Sequence, residues 1–182
     1  MQTPFENDFF DLFGIEKTYS LDRLQLRDRF RALQKKFHPD NFASASEHER
    51  RLSAQYAALI NEAYSTLSDA MQRGRYMLTL QGISTDEELD TSMDPEFLIQ
   101  QLELREDLDT ATASTDSAME MLASLATKVN NEFSKREESI AEILDNTAAQ
   151  DSELEKARQL VRELQFLSRI RSEIEDAEEA LF

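Results

Sequence analysis

Apolar side chains recur at helical spacing through most of the chain. Near the N-terminus, a stripe of this kind comprises Leu26, Phe30, Leu33 and Phe37. Intervals of three and four residues are typical of an α-helix that buries one face. Ser20 supplies a good N-cap side chain, and Pro39 ends the pattern because proline pushes the residue before it out of the helical region. We therefore predict a helix from Ser20 to about Phe37.

A second stripe predicts a longer helix, from about Ser46 to Leu67. Its predicted inward face comprises Leu52, Tyr56, Leu59, Ala63 and Tyr64. Two helices joined by a short loop form an antiparallel hairpin that buries both stripes. Short helices over residues 8–13 and 70–80 are expected to flank this hairpin.

The second half of the chain predicts three more helices. Asp94-Pro95-Glu96 combines an N-cap residue, a proline at the first helical position and an acid in the first turn. The helix that begins there is expected to end near residue 109, and polar interruptions separate two more helices, over 115–144 and 152–180. Short connections favour antiparallel neighbours, so these helices predict a three-helix bundle.

The expected fold class is therefore all-α, in two domains. A helical-hairpin domain with short flanking helices is expected over residues 1–81, and the three-helix bundle over 95–182. The polar, acidic stretch 82–94 between them is predicted to be a linker. With three glycines and three prolines, the chain has too few turn residues for a hairpin-rich β fold.

Charge divides the chain at the same place. Residues 1–75 hold 11 acidic and 11 basic side chains, whereas residues 76–182 hold 26 acidic and 9 basic ones, which supply the whole net charge of −17. An acidic second half disfavours binding to nucleic acids or to anionic membranes, because like charges repel. The chain has no cysteine, no apolar run of bilayer length and no basic signal segment at its start, so a cytoplasmic protein is expected.

The candidate chemistry lies in the loop between the first two long helices, which reads His38-Pro39-Asp40. We call these three residues the HPD loop. Proline restricts the loop and so lowers the ordering cost of binding, Asp40 offers a carboxylate to a partner's arginine or backbone N–H, and an imidazole can donate or accept a hydrogen bond. The same residues also fit an ordinary proline stop at the end of a helix.

The helix before the HPD loop carries a row of basic side chains on its outer face. This basic row comprises Arg27, Arg31 and Lys35, with Lys36 and Arg29 nearby. Such a row can steer docking onto an acidic surface, although a solvated helix face has the same composition.

Together, the helix pair, the HPD loop and the basic row resemble a J-domain. A J-domain is the region of a co-chaperone that triggers ATP hydrolysis in a DnaK-type chaperone. The resemblance implies that the chaperone is bound by His38, Pro39, Asp40, Arg27, Arg31, Lys35 and Lys36.

Four segments in order along the chain resemble one family of J-domain proteins more narrowly, the HscB co-chaperones of iron–sulfur cluster assembly. These segments read FHPDNFA, RYMLTLQG, FLIQQLELREDLD and VRELQFLSRIR. The resemblance implies two partners, an HscA-like DnaK-type chaperone and an IscU-like scaffold protein. No cofactor, metal or catalytic residue is expected. Two positions depart from the family pattern: Asn41 stands where lysine is common, and Thr110 where relatives often have an acid.

The helix that begins at Pro95 has more apolar surface than one buried stripe needs. Phe97, Leu104 and Leu108 form one line, and Leu98 and Leu102 lie roughly 120° around the helix from it. Either this surplus stripe is an exposed partner site, or the helix contacts two neighbouring helices. The HscB resemblance implies a scaffold-binding set of Leu98, Ile99, Leu102, Glu103, Glu106 and Phe166.

Two other functions stay open at the level of sequence. One is a general DnaJ-like co-chaperone that delivers unfolded clients. The other is a non-catalytic helical adaptor in which the tripeptide His38-Pro39-Asp40 occurs by chance. An enzyme is not expected, because the sequence offers neither a nucleophile–base pair nor a phosphate-binding loop. His48 and His38 do not match a metal-ligand spacing.

Overall fold

The structure is a computed structural model that describes residues 8–42, 45–85, 94–114 and 116–181. Seven α-helices and one 3-10 turn make up its secondary structure in these ranges, which confirms the predicted all-α fold class. The helices are α1 (Phe9–Phe13), α2 (Arg23–Phe37), α3 (Glu47–Ser68), α4 (Ala70–Leu80), α5 (Pro95–Ala113), α6 (Ala118–Leu144) and α7 (Asp151–Glu179). The 3-10 turn is Pro39–Phe42.

By its internal contacts the chain divides into two compact units, Met1–Tyr76 and Met77–Phe182. The predicted linker at 82–94 lies largely outside the described residues, since the structure does not describe 86–93. The exact domain boundaries therefore remain a prediction.

The short helix α1 is fixed at both ends by local backbone chemistry. Asp8 caps its N-terminus by accepting the Asp11 N–H, and Gly14 ends it in the left-handed region at φ 61°, which glycine adopts without steric cost. The Phe9 N–H donates to the Tyr76 hydroxyl at 2.8 Å, and the two rings stack with centroids 4.4 Å apart. These contacts bring α1 onto α4 within the first unit.

Helix α2 begins later than predicted, because Asp22 rather than Ser20 is its N-cap. The Asp22 carboxylate accepts from the N–H groups of Leu24 and Gln25, at 2.8 and 3.1 Å. A carboxylate also complements the positive end of the helix dipole, which a serine hydroxyl does not. The predicted end at Phe37 is confirmed.

The predicted pairing of α2 with α3 is observed, and aromatic stacking joins the two helices at two levels. Phe30 stacks on Tyr64 with ring centroids 3.9 Å apart, and Phe37 stacks on Tyr56 at 4.7 Å. The buried face of α3 differs from the predicted one. It comprises Ser53, Ile60, Ala63 and Leu67. Leu52, which was expected to point inward, is exposed.

In the second unit, α5, α6 and α7 enclose one apolar core and form the three-helix bundle that the sequence predicts. Helix α5 begins as expected, with Asp94 as N-cap and Pro95 in its first turn, but it ends at Ala113 rather than near residue 109. Thr110 and Thr112 are helical, and their hydroxyls donate to the carbonyls one turn earlier, of Glu106 and Leu108. The largest fully buried side chains of the bundle are Leu104, Leu122, Ile140, Leu164, Leu167, Ile170 and Ile174.

No helix in the described ranges has the length and apolar character that crossing a membrane requires.

Candidate functional site

The HPD loop forms a hydrogen-bonded corner at the end of α2. His38 leaves the helix in an extended conformation, with φ −59° and ψ 134°, as expected of a residue before proline. The chain then enters the 3-10 turn, in which the Asn41 N–H donates to the His38 carbonyl at 3.0 Å. The corner therefore has a defined backbone path.

The two polar side chains of the HPD loop face solvent and lie beside each other. His38 Nδ1 accepts from the Asp40 N–H at 3.3 Å and lies 3.5 Å from Asp40 Oδ2. The His38 side chain is 58% exposed and the Asp40 side chain 90%. With Nδ1 as acceptor, a neutral imidazole carries its proton on Nε2, which can then donate to a partner. The loop is thus displayed and not packed inside the fold.

Exposed side chains continue from the loop along α2. The basic row of Arg27, Arg31 and Lys35 is exposed, and so is Lys36. A groove of about 760 Å³ lies between α2 and α3 next to the loop. It is lined by Arg31, Gln34, Lys35, His38, Asp40, Asn41, Ala57 and Asn61. The structure therefore brings the HPD loop and two residues of the basic row onto one surface.

The surplus apolar stripe of α5 is exposed, so it is not buried against a second neighbouring helix. Leu98, Ile99 and Leu102 are 42%, 59% and 66% exposed. Phe97, Leu104 and Leu108 form the buried side of the same helix. Glu103 and Glu106 are also exposed, and at helical spacing they adjoin the apolar residues. We call Leu98, Ile99, Leu102, Glu103 and Glu106 the α5 surface.

Phe166 of α7 lies at the edge of the α5 surface. Its ring is half-buried and meets the Phe97 ring edge-on, with centroids 5.7 Å apart. The Arg105 guanidinium lies 5.9 Å from the Phe166 centroid and also pairs with Glu173. Arg105 and Leu98 are seven positions apart and so share one face of α5. Phe166 therefore lies next to the side of α5 that carries Leu98.

A charged cluster beneath the start of α5 joins the three helices of the bundle. Arg136 of α6 donates to Glu163 of α7 at 2.6 Å, to Glu132 of α6 at 2.7 Å and to the side-chain oxygen of Gln100 of α5 at 2.7 Å. Its guanidinium lies 5.3 Å from the Phe97 ring centroid. One half-buried cation thus bonds to side chains of all three helices.

This environment shifts the pKa values of two carboxyl groups in opposite directions. Hydrogen bonds from Lys135, Arg136 and Gln100 lower the pKa of Glu132 from 4.5 to about 2, because each donor stabilises the charged form. Burial raises the pKa of Glu163 above 4.5, although Arg136 donates to it.

Sequence reasoning missed Ser53, Arg105 and Arg136. Ser53 is 2% exposed, and its hydroxyl donates to the Phe37 carbonyl at 2.9 Å. The signal for Ser53 was present, since it continues the buried spacing of Ile60 and Leu67 at seven-residue intervals. The two arginines lie in polar stretches, where only the packing of neighbouring helices distinguishes them from solvated residues.

Among the residues that the structure describes, no group of three His, Cys, Asp or Glu side chains is placed to hold a metal ion.

Comparison with known proteins identifies both units. Residues 8–76 match the model of the DnaJ domain family, and residues 93–175 match that of the HSCB C-terminal oligomerisation domain family. A curated relative, the co-chaperone protein HscB homolog of Vibrio cholerae serotype O1 (strain M66-2), is 42% identical over 174 residues, which cover 96% of this chain and 98% of that protein.

Two solved structures agree with this comparison. The chaperone HscB from Vibrio cholerae matches with a TM-score of 0.83 at 39% identity, over 97% of this chain and 100% of that one. The human co-chaperone protein HscB also has a TM-score of 0.83, at 27% identity, over 95% of this chain and 82% of that one.

Proposed function

Because the chain belongs to the HscB family of J-domain co-chaperones, we propose that it acts in iron–sulfur cluster assembly. In this role its first unit stimulates the ATPase of a dedicated, HscA-like DnaK-type chaperone, and its second unit delivers an IscU-like scaffold protein to that chaperone. The chain itself acts by binding, and the chemistry takes place in the chaperone.

The observation that carries the proposal is the display of the HPD loop. His38 and Asp40 are largely exposed at the end of α2, and the exposed basic row lies on the same helix. An exposed carboxylate can form charge-assisted hydrogen bonds with a partner, and a basic face accelerates encounter with an acidic surface. We assign chaperone binding to this surface, including Arg27, Arg31, Lys35, Lys36 and the HPD loop.

The second half of the proposal rests on the α5 surface. Three large apolar side chains exposed side by side on one helix, with acidic residues beside them, are typical of a protein-binding site. Phe166 extends this surface onto α7. We assign binding of the scaffold protein to these residues, and its iron–sulfur cluster is cargo, not a cofactor of this chain.

Two binding units in one chain raise the effective concentration of the scaffold at the chaperone. Contact with the HPD loop then stimulates ATP hydrolysis, and the chaperone closes on the scaffold delivered with it. A general co-chaperone would lack this selectivity and would deliver unrelated unfolded proteins.

An ATPase assay with the purified chaperone tests the proposal. The chain should stimulate hydrolysis, and His38→Gln or Asp40→Ala should abolish the stimulation while the affinity for the scaffold, measured by calorimetry, is kept. Full stimulation by either variant would contradict the assigned role of the loop. Suppression of the aggregation of unrelated unfolded proteins would favour a general DnaJ-like co-chaperone instead.

A further inference from the structure

The last turn of α2 leaves carbonyl groups without partners inside the helix, as every helix end does. Two side chains from outside the helix satisfy two of them. The Asn41 amide donates from Nδ2 to the Lys35 carbonyl at 2.7 Å, and the Ser53 hydroxyl donates to the Phe37 carbonyl at 2.9 Å. These bonds hold the helix end from two sides, the 3-10 turn and α3.

The two hydrogen bonds lie at the two ends of the HPD loop. Phe37 is the residue immediately before His38, so the bond from Ser53 fixes the peptide from which the loop departs. Asn41 follows Asp40 directly, so its side chain ties the far end of the loop back to α2. The Asn41 N–H also donates to the His38 carbonyl, at 3.0 Å. The loop is therefore anchored at its start, across its turn and at its end.

The burial of Ser53 is otherwise unexplained by packing. It lies 2% exposed on the buried face of α3, where alanine would occupy the position without a polar group. A hydroxyl is tolerated there because it has a backbone acceptor. What it contributes is a hydrogen bond to the last carbonyl of α2.

We propose that Ser53 and Asn41 are positioning residues for the HPD loop, which hold it in its binding geometry before the chaperone arrives. This inference rests on the proposed function, because it assigns the loop to chaperone binding. A loop ordered in advance loses less conformational freedom on binding, so the two hydrogen bonds increase the affinity for the chaperone. Asn41, at the position where lysine is common in the family, supplies a hydrogen bond to the last turn of α2 in place of a charge.

The test compares Ser53→Ala and Asn41→Ala in the full chain. Each should raise the concentration that gives half-maximal ATPase stimulation about fivefold, the effect of losing one hydrogen bond of ordinary strength. The maximal stimulation at saturation should be kept, because the loop still reaches the same bound geometry. Ser68→Ala is the matched control, since it deletes a hydroxyl that donates to the Ser65 carbonyl at the end of α3, and it should leave the concentration dependence unchanged.

A second readout needs no chaperone. The backbone N–H hydrogen of Asn41 should exchange with solvent several-fold faster in Ser53→Ala than in the wild type. NMR measures this exchange well below the thermal unfolding midpoint of both proteins. Wild-type concentration dependence in both alanine variants, or a reduced maximum with an unchanged half-maximal concentration, overturns the inference. If the wild type gives no stimulation at all, the proposed function fails, and the Asn41 exchange rate alone decides: unchanged exchange overturns the positioning role, and faster exchange supports it.

Discussion

Phe166 of α7 meets Phe97 of α5 edge-on, with ring centroids 5.7 Å apart and ring planes at 89°. Phe97 is a buried core residue, whereas Phe166 is only half-buried. The pair therefore links the core of the bundle to its exposed α5 surface. A partner that binds this surface meets a ring whose orientation is already set by the core.

Replacement of Phe166 by alanine should weaken scaffold binding about tenfold, because truncation of an aromatic contact at an interface commonly costs about 1–2 kcal/mol or more. It should also lower the free energy of unfolding by about 1–2 kcal/mol, since a half-buried ring is lost from the contact with Phe97. Calorimetry with the scaffold and thermal denaturation measure the two effects. Phe166→Leu, which keeps apolar volume, should restore most of the stability and less of the affinity. Unchanged affinity in Phe166→Ala would exclude the ring from the interface.

The double variant Leu98→Ala, Leu102→Ala should weaken scaffold binding by about tenfold to a hundredfold and leave the helical content unchanged. Both side chains are exposed, so the folded chain loses little buried apolar area with them, whereas a complex that covers them would lose their full contribution. Calorimetry and circular dichroism measure affinity and helicity. Met119→Ala, which truncates an exposed apolar side chain of α6, is the control. A collapse of helicity in the double variant would instead mark the stripe as structural.

Removal of charge from the basic row should slow the encounter with the chaperone. Arg31→Ala combined with Lys35→Ala should reduce the association rate several-fold at low salt and make that rate less sensitive to salt, since screening then has less attraction to remove. Stopped-flow association at two ionic strengths measures this. Arg51→Ala is a suitable control, because Arg51 is also exposed, on α3, but pairs with Glu47 at 3.3 Å. Equal salt dependence in both variants would rule out steering by the row.

The charged cluster of Arg136, Glu132 and Glu163 predicts two opposite trends of the free energy of unfolding with pH. The lowered pKa of Glu132 means that its contribution is fully present above about pH 4.5 and is lost as the pH falls towards 2. The raised pKa of Glu163 has the reverse sign: its contribution is fully present below pH 4.5 and is lost as the pH rises through the folded-state value.

Thermal unfolding midpoints between about pH 3 and 7 should therefore respond differently to two variants. Glu132→Gln should flatten the loss of stability on the acidic side of pH 4.5, and Glu163→Gln should flatten the loss above it. Curves that stay parallel to the wild type would show that neither carboxyl group is coupled to folding.

The fold was predictable from the sequence where one signal dominated. Apolar spacing located the helices, Pro39 marked the end of α2, and Asp94 with Pro95 marked the start of α5. The errors arose where two signals competed. Ser20 and Asp22 are both good caps, and the helix dipole favours the acid. Thr110 looked like the end of α5, yet its hydroxyl bonds within the helix.

Parts of the candidate site were also predictable from the sequence. The HPD loop, the basic row and the surplus stripe of α5 were each visible as a local pattern, and their exposure follows from the structure. Ser53, Arg105 and Arg136 were not predictable in the same way, because each acts through a partner in another helix. Tertiary partners of this kind leave only a weak signal in the spacing of residues, and at Ser53 the neighbouring apolar Leu52 gives a stronger one.

The stacked tyrosines of the first unit have a practical consequence. All four tyrosines of the chain, Tyr19, Tyr56, Tyr64 and Tyr76, lie within Met1–Tyr76, and the chain has no tryptophan. Tyrosine emission therefore reports mainly on that unit, while far-ultraviolet dichroism sums the helices of both. Melting curves recorded with the two signals will coincide only if both units unfold together, so an unlabelled sample reveals whether the two halves are energetically independent.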